Sequence, residues 1–420
     1  MAGKQDPVLE PNAPLPICNE NKRQRLKMGL TASPKPQSRG AQQESVRLSA
    51  YLQISALISL AMWMLLLLPD FLSQRGWSSQ KIGWAMGAYF SVYLLVQILA
   101  GHIADRYGNI TTALIGACLG VLGCLNYLVA LKWTDFIFLA RTLHGSGAAM
   151  VTAGVVFHLM DSVPQHLKGR MLGYFGLPGF VMLAAGPSLA EFFQKFGGIG
   201  GTFLAILGIH GSMIWIIRQL PDSLQRQDLP STPFFKGFKQ NFSKLKSVLC
   251  FSFGFGFCFS VWQSFLAPAL SPLGGGAVSL FGLGYGVGAV LTRMGISQFL
   301  ETEQRRLAAV STLMLYGVCL AALPQVSEVW QLGGLGIVIG MSHGIYYPAL
   351  SAIAAERFQP TGTGTAMSLY ISSSSLGMFV GPPVWGFVAD RAGYGWIFAG
   401  AGAAIVAATL AFVASEWRAR

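Results

Sequence analysis

The sequence predicts an all-α membrane protein of twelve transmembrane helices in two six-helix bundles. Three observations predict it. Of the 420 residues, 53% are hydrophobic and 11% charged, with a mean hydropathy of +0.51; a water-facing domain carries about 25% charged residues. The charges leave long intervals free: 22 residues between Arg47 and Asp70, 23 between Lys81 and Asp105, 25 between Arg106 and Lys132. Each matches the roughly 20 residues that cross a bilayer core as helix. In hydrocarbon such a run has to be helical, because every backbone polar group needs an internal partner. Finally, one polar segment, 218–246, is the longest internal one and divides the apolar intervals six and six.

In chain order the spans are 48–69, 82–104, 110–131, 135–160, 171–192, 199–217, 247–269, 276–298, 307–324, 329–352, 365–387 and 395–415. The seventh and eighth share one charge-free interval of 46 residues between Lys246 and Arg293. Pro268, Pro272 and Gly274-Gly275-Gly276 predict the hairpin that breaks it. The domains that follow are a disordered cytoplasmic tail (1–45), an N-terminal bundle (46–219), a cytoplasmic central loop (220–246) and a C-terminal bundle (247–416). The tail lacks the short apolar core of a cleavable signal peptide.

Basic residues orient the spans. With the N-terminus inside, 22 of the 29 Lys and Arg are cytoplasmic; Arg75, Lys81, Lys132, Lys195 and Arg391 lie outside, and Arg141 and Arg293 lie within spans. Both termini are therefore expected in the cytoplasm. The net charge of +12 needs no nucleic-acid partner. Its basic run at Lys22–Lys27 reads as a juxtamembrane segment near anionic lipid, with a targeting or RNA-binding patch as the alternative. Five of the six cysteines sit in spans without a CxxC pair, as small apolar packing residues.

The halves echo one another. Asp161, Gly169 and Gly186-Pro187 recur at an offset of 195 as Glu356, Gly364 and Gly381-Pro382, and Gly198 recurs as Gly393. His144-Gly145 and His343-Gly344 correspond at an offset of 199. Parallel repeats of this kind place a substrate site between halves that rock about it.

Between spans two and three stands Gly101-His102-Ile103-Ala104-Asp105-Arg106-Tyr107-Gly108. Gly101 lets helices approach closely and Gly108 permits a tight turn. Asp105 can accept from a neighbouring helix terminus and from Arg106, latching one conformation; without such a latch the segment is a capped turn with a charged loop. The segment resembles the Gly-x-x-x-Asp-Arg-x-Gly signature of the major facilitator superfamily, although Asn109, Ile110 and Thr111 follow where that family has basic residues. The resemblance covers nearly all of 46–416 and is closest to the twelve-helix, proton-linked efflux branch. It implies secondary transport in the bacterial inner (plasma) membrane by a functional monomer. The partners implied are a small-molecule substrate, protons and the lipid bilayer, with the proton gradient as driving force and no cofactor.

Span four carries Arg141-Thr142-Leu143-His144-Gly145-Ser146-Gly147-Ala148-Ala149, which resembles the family's Arg-x-x-Gln-Gly-x-Gly-Ala-Ala motif with His144 in place of Gln. Arg141, His144 and Gly145 share a helical face, and a guanidinium inside a bilayer is costly unless it meets a wet cavity or a partner. The resemblance assigns these residues proton and substrate coupling. The alternatives are that Arg141 snorkels to the interface and that His144, able to titrate in the physiological range, only bonds across helices. Gly186-Pro187 in span five and Gly381-Pro382 in span eleven resemble the family's glycine-rich antiporter motif and predict close packing and a bend. Ala190-Glu191 stands where that motif ends in glycines.

The resemblance also implies that spans one, four, seven and ten line the cavity. Their polar candidates are Gln53, Trp262, Gln263, His343, Tyr346 and Tyr347, each open to reading as plain packing. Mid-span Asp and Glu are absent, so the embedded ionisable groups are Arg141, Arg293, His144 and His343, a balance that suits an anionic or zwitterionic substrate over a lipophilic cation. Arg293 can also be read as snorkelling. Neither a phosphate-binding Gly-rich Lys-Ser/Thr loop nor a His/Cys/carboxylate metal spacing is present, so an ATP-driven pump and an enzyme are not expected. The reading is proton-coupled efflux by alternating access. The alternatives are a proton-coupled uptake symporter of a small organic anion, or a membrane sensor or enzyme on the same fold.

Overall fold

A backbone cut off from water must bond within its own helix, and the apolar intervals are helical throughout. The computed structural model describes residues 38–164, 167–221, 234–295, 302–357 and 363–417, and no strand occurs among them. Helix α1 (Ser38–Met64) passes through a 3-10 turn into α2 (Leu68–Gln74), completing the first span. There follow α3 (Ser79–Tyr107), α4 (Asn109–Ala130), α5 (Phe136–Ser162) and α6 (Lys168–Ile217). The second half holds α7 (Phe234–Leu270), α8 (Ala277–Gly295), α9 (Thr302–Ala322), α10 (Val329–Arg357), α11 (Thr363–Ala392) and α12 (Tyr394–Trp417). Eight stretches of the described residues are long and apolar enough to cross a membrane. One of them, in α6, holds spans five and six, because Gly198 turns the chain there at φ +56. The remaining three spans are α3, α10 and α11, of 29, 29 and 30 residues. These make the twelve transmembrane helices of two six-helix bundles.

The repeat is visible in the turns. Gly198 and Gly393 both have positive φ, as do Gly76 and Gly274 between the first two helices of each half. Gly108, at φ +90, separates α3 from α4, and its N–H closes α3 by bonding Ala104 O at 2.9 Å.

Three boundaries differ from expectation. Helix begins at Ser38, inside the expected tail, where Gln42, Gln43 and Glu44 are good helix formers. The later part of the expected central loop is helical from Phe234, with no proline inside α7 before Pro268. Pro268 itself does not end that helix; the turn comes at Gly274 and Gly276, whose positive φ supplies it. Residues 1–37 and 222–233 lie outside the described residues.

Residues from Arg47 onward form one compact unit. Its two halves meet along a seam that is tight at one end, called here the far face, opposite the end where α1 starts and α12 ends. At the far face a Cβ on Gly87 of α3 would lie 2.7 Å from Phe379 O of α11. Likewise one on Gly286 of α8 would lie 2.5 Å from Phe180 O of α6. Three carboxylates bridge the halves there. Asp390 accepts from the N–H of Ser79 (2.6 Å) and of Gln80 (3.0 Å) at the start of α3, and Glu191 accepts from Gly276 N–H (3.1 Å) just ahead of α8. Asp70 bonds the Ser271 side chain. The helix N-termini supply unpaired donors and a partial positive charge, so a carboxylate is the natural partner. Toward the termini face the seam opens: Gly101 and Gly173 meet nothing within 4 Å, and Gly176 meets only the Arg293 guanidinium, at 3.8 Å.

Candidate functional site: a buried cation cluster and an open cleft

Arg141 does not snorkel. It is 2% exposed, its Nη2 donates to Met86 O at 3.2 Å, and its guanidinium lies 4.7 Å from the centroid of the Tyr89 ring. Its Nε has no partner. Lys81 and Asp135, by contrast, form an exposed ion pair at 2.7 Å. The Arg141 charge is thus held by a carbonyl, the Tyr127 side chain and an aromatic face, the last a cation–π arrangement worth about 2 kcal/mol when desolvated.

His144, 1% exposed, stands one turn on. The Tyr127 hydroxyl is 3.3 Å from its Nδ1, and its ring meets those of Tyr89, Tyr127 and His210 edge-on at 5.4, 5.9 and 5.0 Å. His210, from the second half of α6, has Nδ1 3.0 Å from Ile206 O, so that nitrogen carries the proton and Nε2 is the acceptor in the neutral ring. Gly120 makes the room: a Cβ there would overlap the His210 ring. Gly145 does the same for Tyr89, whose carbonyl it faces directly. A second histidine network lies on α5: the Tyr51 hydroxyl is 2.6 Å from His158 Nδ1, and His158 Nε2 donates to Pro221 O at 2.8 Å.

The open end of the seam is lined differently. His343 accepts a short hydrogen bond from, or donates one to, Tyr285, stacks on Tyr346 at 5.2 Å and meets Phe180 edge-on at 5.3 Å across the seam. Tyr347 packs 5.7 Å from His343. Arg293, expected near the helix end, reaches over the seam to the Phe180 ring at 5.6 Å. Arg293, His343, Tyr347, Phe180, Tyr93 and Ser59 are all half-buried, and Arg293 and His343 both meet Phe180 where the seam parts, which places this group at the wall of the opening.

Other expected wall residues lie elsewhere. Trp262 is fully buried, donating to Tyr316 Oη at 3.0 Å and stacked on Trp63 at 5.8 Å; Gln263 is also buried, its Oε1 unpartnered. Tyr346 is fully buried behind His343, its hydroxyl unpartnered. All three are buried in this conformation, Trp262 against Trp63 of the other half and Tyr346 against His343. Gln53 is exposed. Gly186 packs on Trp63 and Gly381 on Phe257 O, with Cβ approaches of 2.7 and 2.6 Å, and Pro187 and Pro382 lie inside their helices. Close approach at Gly101 is not made in this structure, since the seam has already opened there. Asp105 and Arg106 are exposed, with Arg106 over the Tyr107 ring at 5.4 Å. Cys124, Cys258 and Cys319 pack in the interior as expected, while Cys118 and Cys250 are exposed. Tyr89, Tyr127, His210, Glu191 and Asp390 complete these arrangements without having been singled out as site residues. A histidine in an apolar run was the available signal for His210.

The family model of the Major Facilitator Superfamily matches residues 52–326 and 271–419. The chain is 20% identical over 337 residues to the staphylopine export protein of Staphylococcus aureus, covering 77% of this chain and 84% of that one. It is 22% identical over 370 residues to the quinolone resistance protein NorA of the same organism, covering 84% and 92%. Among solved structures, the nucleoside transporter NupG superposes with a TM-score of 0.69 at 14% identity, covering 87% of this chain and 98% of that one. The human organic anion transporter MFSD10 superposes at 0.64 and 16%, covering 88% and 99%. The D-xylose-proton symporter superposes at 0.70 and 13%, covering 87% and 96%. With twelve helices, a repeated half and a seam open at one end, the chain belongs to the Major Facilitator Superfamily and is an integral membrane transporter of small molecules, not an enzyme.

Proposed function

We propose that this transporter exports a small organic molecule from the bacterial cytoplasm by alternating access, in exchange for protons. The observation that carries the reading is the asymmetry of the seam: clasped at the far face by Asp390, Glu191 and Asp70, open beside Gly101, Gly173 and Gly176. That is one of the two states a rocking transporter needs. With the basic residues inside, both termini and the central loop are cytoplasmic, the open end faces the cytoplasm and the clasps face outward. The halves 46–219 and 247–416 are the moving bodies, 220–246 connects them, and the monomer suffices.

Arg141 and His144 couple proton and substrate occupancy. They are sealed from the cleft, but Tyr89 covers Arg141 on one side and stacks on Tyr93 at 6.0 Å on the other. Tyr93 is half-buried at the cleft, so occupancy there bears on the Arg141–His144 cluster through two tyrosines. Gly145 permits the approach of α5 to α3 that this needs. The Gly101–Gly108 loop, with Asp105 and Arg106, closes the cytoplasmic end when the clasps release. The export-named relatives favour this direction; the symporter-named neighbour is why uptake is the second reading.

The test is flux of a substrate panel in proteoliposomes under an imposed pH gradient. Export requires substrate to move out of the cytoplasmic compartment as protons move in. Accumulation in the direction of proton flow replaces export with symport, and flux indifferent to the gradient removes proton coupling.

A further inference from the structure

We infer that the cleft selects aromatic or heteroaromatic carboxylates, with Arg293 as the carboxylate contact and Phe180, His343, Tyr347 and Tyr93 as the ring slot. This rests on the transport reading only for the consequence of binding, not for binding itself.

Position comes first. The α6–α8 contact is tight where Gly286 faces Phe180 and Gly282 faces Leu183, and has parted by Gly176. Arg293 stands where the helices diverge, its guanidinium 3.8 Å from a Cβ on exposed Gly176 and 5.6 Å from the Phe180 ring centroid. It comes from one half of the molecule and leans on the other. A ligand held there touches both bodies that must rock, as a transported molecule has to.

Charge comes second. Arg293, His343 and Tyr347 are within electrostatic reach of one another, and Tyr93 on α3 is within the same reach of Tyr347. Of the carboxylates that the described helices carry, Asp70, Glu191 and Asp390 are engaged at the far face, and Asp161 accepts from Asn109 at 2.8 Å at the other. Arg293 brings a guanidinium to this wall, and a guanidinium fork matches a carboxylate with two parallel hydrogen bonds. A lipophilic cation would face repulsion at the same point.

Shape comes third. Phe180 presents its ring at 88° to His343, and Tyr347 lies at 64° to the same imidazole. A flat π-system laid against the half-buried sides of Phe180, His343 and Tyr347 extends this packed set by stacking on one ring and abutting the others. Ser59, near Gly179 on the opposite wall, adds a hydroxyl for a ring heteroatom.

The experiment uses the full chain in lipid nanodiscs, with 1-naphthoate as probe and its own fluorescence as readout. Three competitors separate the contributions: 1-naphthylmethylamine reverses the charge, 1-naphthalenemethanol removes it, and cyclohexanecarboxylate removes the ring. Naphthoate is expected to bind at least tenfold tighter than the amine or the cyclohexane acid. Arg293→Gln is expected to cut naphthoate affinity about tenfold and leave the alcohol within twofold, while Arg293→Lys, which keeps the charge, recovers part of the loss. Tyr347→Leu is expected to weaken naphthoate and the alcohol alike. Tighter binding of the amine than of naphthoate overturns the inference, as does naphthoate affinity unchanged in Arg293→Gln. Should Arg293→Gln fail to fold, the naphthoate-against-amine ranking on the unaltered chain still decides. Naphthoate binding with no gradient-driven flux would leave this inference standing and remove proton-coupled export. Gradient-driven flux confined to cations would do the reverse.

Discussion

Replacing Asp390 by Asn tests the clasp that holds the far face shut. The carboxylate accepts two backbone N–H groups at the first turn of α3, at 2.6 and 3.0 Å, across a sequence separation of about three quarters of the chain. Hydrogen bonds to a charged group contribute about 1.5–3 kcal/mol each, and a carboxylate at a helix N-terminus adds about 0.3–1 kcal/mol. Asn keeps one acceptor oxygen, so one bond and the charge–dipole attraction are lost, about 2 kcal/mol in a protected setting. Asp390 is exposed, and solvent screening roughly halves that figure. About 1 kcal/mol corresponds to a five-fold shift toward the state open at the far face, since 1.4 kcal/mol is ten-fold. The assay places a single cysteine at Met378, which packs in the seam against Tyr89 and Phe90, in a chain whose six native cysteines are changed to serine. Its labelling by a membrane-impermeant maleimide added outside is expected to be about five times faster in Asp390→Asn. Adding Glu191→Gln is expected to increase the rate again. Equal rates in the three chains would refute the assignment of these carboxylates as clasps.

Other perturbations follow from the same geometry. Gly87→Ala puts a methyl 2.7 Å from Phe379 O and is expected to speed the same labelling, whereas Gly101→Ala meets open space and is expected to leave it unchanged. Gly120→Ala overlaps the His210 ring; overpacking of this kind costs about 1–3 kcal/mol and is expected to lower the melting temperature in detergent. Tyr127→Phe removes the hydroxyl 3.3 Å from His144 Nδ1. It is expected to destabilise by about 1 kcal/mol and to move the pH profile of flux, an effect a packing role alone would not have. Lys81→Ala breaks an exposed ion pair and is expected to change stability by less than about 0.5 kcal/mol, read by the same melting assay.

Much of the architecture was legible because the bilayer leaves few choices. Charge-free intervals of helix-spanning length became helices, Gly108 made the tight turn read from its motif, and Gly198 and Gly393, paired by the repeat, both turn the chain. The offset of 195 that pairs Gly198 with Gly393 is a geometric repeat as well as a sequence one. What sequence could not convey was long-range pairing. Nothing local tells that Asp390 meets Ser79 and Gln80, or that Glu191 meets Gly276, since backbone amides have no sequence signature. Arg141 was identifiable as an embedded cation, yet its partners, Met86 O, the Tyr89 face and the Tyr127 side chain, are groups common in apolar helices. Trp262, Gln263 and Tyr346 show a related limit, since all three are buried in this conformation. Polar character in a cavity-lining span suggested the wall, but a helix has a back as well as a front, and the 3.6-residue period alone does not say which face is which.

In the proposed exchange, substrate trades for protons through a coupling pair at Arg141 and His144. The most direct measurement is the luminal pH of proteoliposomes that carry a pH-sensitive dye and an imposed substrate gradient, with no proton gradient at the start. Substrate leaving down its gradient from the cytoplasmic side should pull protons the opposite way. The resulting pH change should track the amount of substrate moved and should vanish in Arg141→Ala while substrate binding persists. Substrate movement with no pH change, or a pH change of equal size in Arg141→Ala, would contradict the account.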